Sequence, residues 1–270
     1  MFTKLLAYEI RSRYRADARS FGAFIVTIAV ASGIVAAGLP GISGSTAVLA
    51  YALCALTPVA CAIAAMADYW KTLYGQRGYF TMSLPISGKV IFWAKNTRIM
   101  IECLLALALA VGGIFAVASA AAWSDGISLA EYTAGPRSQL AIFSPSVQVI
   151  LIMSQLIACA SMIVQVCAVM TLAAEGRFNH MGFGAVAIGL VLLYIVNQIL
   201  SGVGTFFLPF SITPDGHFST ESMWSSYRAA LETDAEPTVW GLGACIVIPI
   251  FALLLAAWAS RSIDKHTSLR

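Results

Sequence analysis

Six stretches of this chain, 21–39, 46–67, 99–122, 147–173, 181–208 and 239–259, carry almost no charge. Each is near or above the ~20 residues that a helix needs to cross a hydrocarbon core. Lipid offers the backbone no hydrogen-bond partner, so a spanning segment must be a helix or part of a closed barrel. Barrel strands would be shorter and would alternate polar with apolar positions, which these runs do not. The composition agrees, with 59% hydrophobic residues, 11% charged and a mean hydropathy of +0.83. The expected fold is an all-α polytopic membrane protein with six transmembrane helices.

Fourteen of the sixteen Lys and Arg residues fall on one side of these spans, Arg137 and Arg228 being the exceptions. The positive-inside rule then predicts a cytoplasmic location for both termini of a multi-pass protein, with 260–270 as a short tail. The net charge of +3 reflects this anchoring and does not indicate nucleic-acid binding. The first twenty residues, with Phe2, Leu5, Leu6 and Ile10 on one side and Lys4, Arg11, Arg15 and Arg19 supplying cations, read as an amphipathic interfacial helix. The basic leader and the long apolar run after it are unlike a signal peptide, so 21–39 is expected to be a retained span.

Within the spans, Ala29, Gly33 and Ala37 form a small-residue stripe suited to close helix packing. Pro58 and Pro249 each remove a backbone donor. Ser154, Ala158, Ser161 and Gln165 recur at helical spacing in span four, and span five adds Asn197 and Gln198. Polar groups at that depth point toward protein or a passage, which makes Ser154, Ser161, Gln165, Asn197 and Gln198 the candidate substrate path; interhelical hydrogen bonding accounts for them equally. Glu102 is the one acid inside a span and stands four residues after Arg98, the spacing of an ion pair. Outer segments 123–146 and 209–238 are too small for a receptor domain; the second reads as a turn followed by a short helix capped by Ser219 or Thr220.

Several chemistries are excluded. No phosphate-binding G-x-x-x-x-G-K-[ST] motif and no H-E-x-x-H motif occur, and His180, His217 and His266 fall in three separate segments. The six cysteines all lie in the spans, without metal-site spacing. The chain is therefore expected to have no catalytic site, no metal and no cofactor of its own. What remains is the tract 68–98 between spans two and three, rich in aromatic and apolar residues for a loop, with Gly75 and Gly78 placed to end one helix and Ser87 to cap the next. Such a surface suits a docking partner.

Within this tract, RGYFTMSLPISGKVIFWAKNTRI at 77–99 resembles the segment of bacterial ABC-2 type transporter permeases that reads GYL-x-x-TLPVS-x-x-x-L-x-x-K. The matching positions are Gly78, Tyr79, Phe80, Ser83, Leu84, Pro85, Ile86, Ser87 and Lys95, within an arrangement of six spans preceded by a basic helix. Arg77 stands where relatives commonly have an acid, and Ser83 where they have threonine. The resemblance implies a coupling segment at 68–98 that docks on a separate ATP-binding subunit through Tyr74, Arg77, Tyr79, Leu84, Pro85 and Lys89. It also implies ATP and Mg2+ on that partner, a second identical or related permease, and export of a peptide, drug or lipid-like substrate. The alternatives are a secondary carrier driven by an ion gradient and a non-transporting scaffold or sensor subunit.

Overall fold

The structure, a computed structural model, describes residues 1–75, 78, 85–233 and 236–265. Six helices are long and apolar enough to cross a membrane: α1 (Phe2–Ala36), α2 (Ser43–Leu73), α3 (Gly88–Ser124), α6 (Pro145–Ala173), α7 (Phe183–Phe207) and α9 (Ala244–Lys265). Between α3 and α6 lie two short helices, α4 (Leu129–Tyr132) and α5 (Ala134–Ala141). Between α7 and α9 lie strands β1 (Ser211–Ile212), β2 (Phe218–Ser219) and β3 (Trp240–Gly241) and helix α8 (Met223–Thr233). The six expected spans are thus present as six helices of a multi-pass membrane protein.

Several boundaries differ from expectation. No separate interfacial helix precedes the first span, because residues 2–36 form one unbroken helix of 35 residues. Gly22 is the one weak helix former near the junction, at a cost of about 1 kcal/mol relative to Ala, too little to end a helix. The last span begins at Ala244 rather than at 239, since Trp240 and Gly241 pair with β1 instead. It also runs to Lys265, taking up the start of the expected tail. Helix α3 begins directly after Ser87, the position expected to cap it.

The chain divides into two compact units: Met1–Ile86 with Val90–Arg137, and Ser138–Arg270 with the short piece Ser87–Lys89. In the first, Phe24 and Ile28 of α1 pack with Ala50 and Cys54 of α2 and Ala110 and Val117 of α3. Val35 with Ala120 and Ala121 extends this core toward the C-terminal end of α3. The buried face of α1 is therefore Phe24, Ile28 and Val35, whereas Ala29, Gly33 and Ala37 are exposed. Among the described residues no atom approaches within 4 Å of the place a Cβ on Gly33 would occupy, so the small-residue stripe is not the face on which α1 packs within this unit.

The close approach occurs instead at Gly113, where a Cβ would stand 2.7 Å from the Cys54 sulfur and 3.3 Å from the Phe24 ring. Gly113→Val is expected to destabilise the detergent-solubilised protein by about 1–3 kcal/mol, the usual cost of overpacking. Thermal unfolding checks this, and adding Cys54→Ala, which removes the clashing sulfur, should recover part of the loss.

In the second unit α9 packs against α6 and α7. A cap joins α7 to α9: β1 lies between β2 and β3, antiparallel to both, with Ser211 opposite Ser219 and Gly241, and Ile212 opposite Phe218 and Trp240. Gly216, at φ 74°, closes the β1–β2 turn. The start of α8 is capped by Ser222, whose Oγ accepts the Ser225 N–H at 3.2 Å. The expected cap was Ser219 or Thr220; Ser219 accepts the Glu221 N–H instead and shapes the approach to the helix.

Candidate functional site

Three helices of the first unit bring charged residues to one place. Glu9, Arg13 and Asp17 recur every four residues on α1; Asp68 and Thr72 sit four apart on α2; Lys95, Arg98 and Glu102 follow at three and four on α3. Each set lines one helical face, so packing the three helices brings the sets together. Lys95 Nζ donates to Glu9 Oε1 at 2.9 Å and to Thr72 Oγ1 at 3.0 Å. Arg98 pairs with Glu102 on its own helix, with Asp68 Oδ2 at 3.1 Å and with Glu9 Oε2 at 3.8 Å. Arg13 reaches the other Asp68 oxygen at 2.8 Å and Asp17 at 3.7 Å.

The network is buried. Arg98 and Lys95 are each 1% exposed, and Glu9 and Glu102 each 7%. Taking such groups out of water costs several kcal/mol per ion and is offset only where partners surround each charge. Arg98 meets that condition, with carboxylates from all three helices around it. The arrangement therefore ties α1, α2 and α3 at the two roots of the 68–98 tract: Asp68 and Thr72 stand where α2 enters it, Lys95 and Arg98 where α3 leaves it.

Helix length gives this position meaning. At 1.5 Å per residue, α1, α2 and α3, with 35, 31 and 37 residues, extend about 46–56 Å, well beyond a hydrocarbon core of ~30 Å. The uncharged parts of all three run from the network toward the Ala36, Ser43 and Ser124 ends.

The residues expected to dock a partner divide. Tyr74 follows the last turn of α2, its ring 5.3 Å from Trp70 and 6.4 Å from Tyr69. Pro85 and Lys89 are exposed. Arg77, Tyr79 and Leu84 lie outside the described residues.

The expected substrate path also divides. Ser154 Oγ donates to the Leu151 carbonyl at 2.8 Å and Ser161 Oγ to the Ile157 carbonyl at 2.7 Å, so both hydroxyls are spent on their own helix. Gln198 is exposed on α7. Gln165 and Asn197 do meet: Asn197 Nδ2 donates to Gln165 Oε1 at 2.7 Å, and Gln165 Nε2 donates to the Ile248 carbonyl at 3.3 Å, linking α6, α7 and α9 beside Pro249. Among the described residues no donor reaches Asn197 Oδ1. Gln165→Leu removes both interhelical bonds and should lower stability by about 1–2 kcal/mol, whereas Ser154→Ala and Ser161→Ala should stay within roughly 0.5 kcal/mol of the parent. Unfolding in mild detergent separates the two classes.

Sequence reasoning identified the Arg98–Glu102 pair, counted Arg13 only among the cations of one membrane side, and assigned no role to Glu9, Asp17 or Asp68. The signal that could have found them is opposite charges at three- and four-residue spacing on three neighbouring helices. Among the described residues, no group of three or more His, Cys, Asp or Glu is placed to hold a metal ion. Comparison with protein-family models, curated proteins and solved structures returns no match.

Proposed function

We propose that this chain is the membrane-spanning permease subunit of an ATP-driven ABC exporter, with ATP and Mg2+ bound by separate ATPase subunits. The observation that carries the reading is a conjunction: the tract 77–99 that resembles the ABC-2 permease segment emerges from two helices whose roots are tied, with α1, by the buried charge network. In this reading the ATPase grips the tract on the cytoplasmic side and its closure pulls on Asp68, Thr72, Lys95 and Arg98 as one body. Two permeases, identical or related, would form the path, and Gln165 with Asn197 would lie along it. The cargo class is a peptide, drug or lipid-like molecule, and the membrane is the bacterial inner membrane with both termini cytoplasmic.

The test is co-expression with a separate Walker-motif ATPase, purification of the complex, and measurement of ATP hydrolysis and ATP-dependent transport in vesicles. A stable complex whose ATPase responds to candidate substrates supports the reading; absence of any such complex refutes it. Glu102, a nearly buried carboxyl group within an apolar helix, is the one observation favouring an ion-driven carrier. Transport driven by an ion gradient without ATP would select that alternative.

A further inference from the structure

Helix α8 has three faces. Ser226 and Ala230 are buried, and Ser226 Oγ accepts the Thr238 N–H at 2.8 Å while lying 3.0 Å from the Thr238 hydroxyl, which fixes that face against the protein. Arg228, Glu232 and Ser225 form a polar, exposed face. Trp224, Tyr227 and Leu231 recur at three- and four-residue spacing on the third face and are 41%, 38% and 67% exposed. The Trp224 and Tyr227 rings stack at 6.2 Å.

This third face does not stand alone. The Trp224 ring lies 5.6 Å from that of Phe207, the last residue of α7. Phe207 ends an exposed row along α7 made of Leu192, Val196, Ile199 and Val203. On a helix that crosses a membrane, such a row is in contact with acyl chains, and through Phe207 the same apolar surface continues onto α8.

We propose that α8 is a lipid-contacting helix, with Trp224, Tyr227 and Leu231 seated at the boundary between headgroups and acyl chains in the leaflet at the Phe207 end of α7. Its 11 residues extend about 16 Å, too short to cross a bilayer and suited to lying along its surface. Indole and phenol rings favour that depth because each joins an apolar body to one polar group. Arg228 stands beside the aromatic face, where it can meet lipid phosphate, and Glu232 turns toward water. The proposal rests on α7 crossing the membrane and is independent of any transport activity.

The test uses the full chain in lipid nanodiscs, which leave both membrane faces open to solutes, made with phosphatidylcholine brominated either near the headgroup end of its acyl chains or near their tips. Tryptophan emission is compared between the parent and Trp224→Phe. The expected result is that Trp224→Phe removes an emission component quenched by bromine and quenched more by the shallow bromines than the deep ones. Quenching of that component by aqueous iodide but not by bromolipid would mean the face is in water, and quenching by neither would mean a second copy or another protein covers it; either result overturns the proposal. A nitroxide at Leu231→Cys, with one at Glu232→Cys as reference, gives a second readout. Position 231 should be more accessible to oxygen and less to an aqueous nickel complex than position 232, and equal accessibility would overturn the placement.

Discussion

Arg98→Met is expected to be the most damaging single substitution in the first unit, costing about 3–5 kcal/mol, the range for removing one partner of a buried ion pair. The guanidinium is 1% exposed and faces carboxylates on three helices, Glu9, Asp68 and Glu102. Its removal leaves Glu102 without the cation on its own helix, and leaves Glu9 with Lys95 and Asp68 with Arg13. Unfolding followed by circular dichroism during denaturant titration in mixed micelles measures the loss. A control separates charge from packing: adding Glu102→Gln to Arg98→Met should recover part of the stability, because the orphaned charge disappears with its partner. Simple loss of packing would leave the double variant at least as unstable as the single one.

Under the proposed permease function, replacing 77–89 by a flexible polar linker of equal length should reduce ATP-driven transport to background in the assembled complex while leaving the spanning helices folded. The physical reason is mechanical. A flexible linker transmits no force, so movement of a docked ATPase would no longer reach Asp68 and Lys95 at the tract's two ends. Circular dichroism should still show the helical signal of the spans, since α2 ends at Leu73 and all of α3 after Lys89 follows the replaced segment. Unchanged substrate-stimulated ATPase activity and transport would refute the coupling role, whereas loss of ATPase binding along with transport would place docking itself in 77–89.

The spans were legible because an uncharged run of about twenty residues has one solution in lipid, and each of the six runs lies largely within a long helix. Helix ends were less legible. The start of α9 moved from 239 to 244 because Trp240 and Gly241 pair with β1, a strand brought near by the path of the chain rather than by local sequence. The cap of α8 is Ser222 rather than Ser219 or Thr220 because several hydroxyl residues in succession offer equivalent local chemistry, and the strand that ends at Ser219 decides among them. The polar positions of span four illustrate the same limit. Serine hydroxyls can bond to their own helix, as Ser154 and Ser161 do, so spacing alone does not separate a lining residue from a satisfied one.

Sequence by itself determined that this chain is a membrane protein with six helices long and apolar enough to cross the bilayer, because hydropathy is a property of composition along the chain and lipid leaves the backbone no other choice. It also determined which residues are charged, and that Arg98 and Glu102 are close enough on one helix to pair. Tertiary structure alone decided that Glu9, Asp68, Thr72 and Lys95 join them, since those contacts cross between helices far apart in sequence, Lys95 and Glu9 being 86 positions apart. It likewise decided that Phe24, Ile28 and Val35, rather than the small-residue stripe, form the packed face of α1. The reason is common to both: a helix sequence specifies which residues share a face, but the neighbour that meets that face is chosen by the shapes of all the helices packed against it.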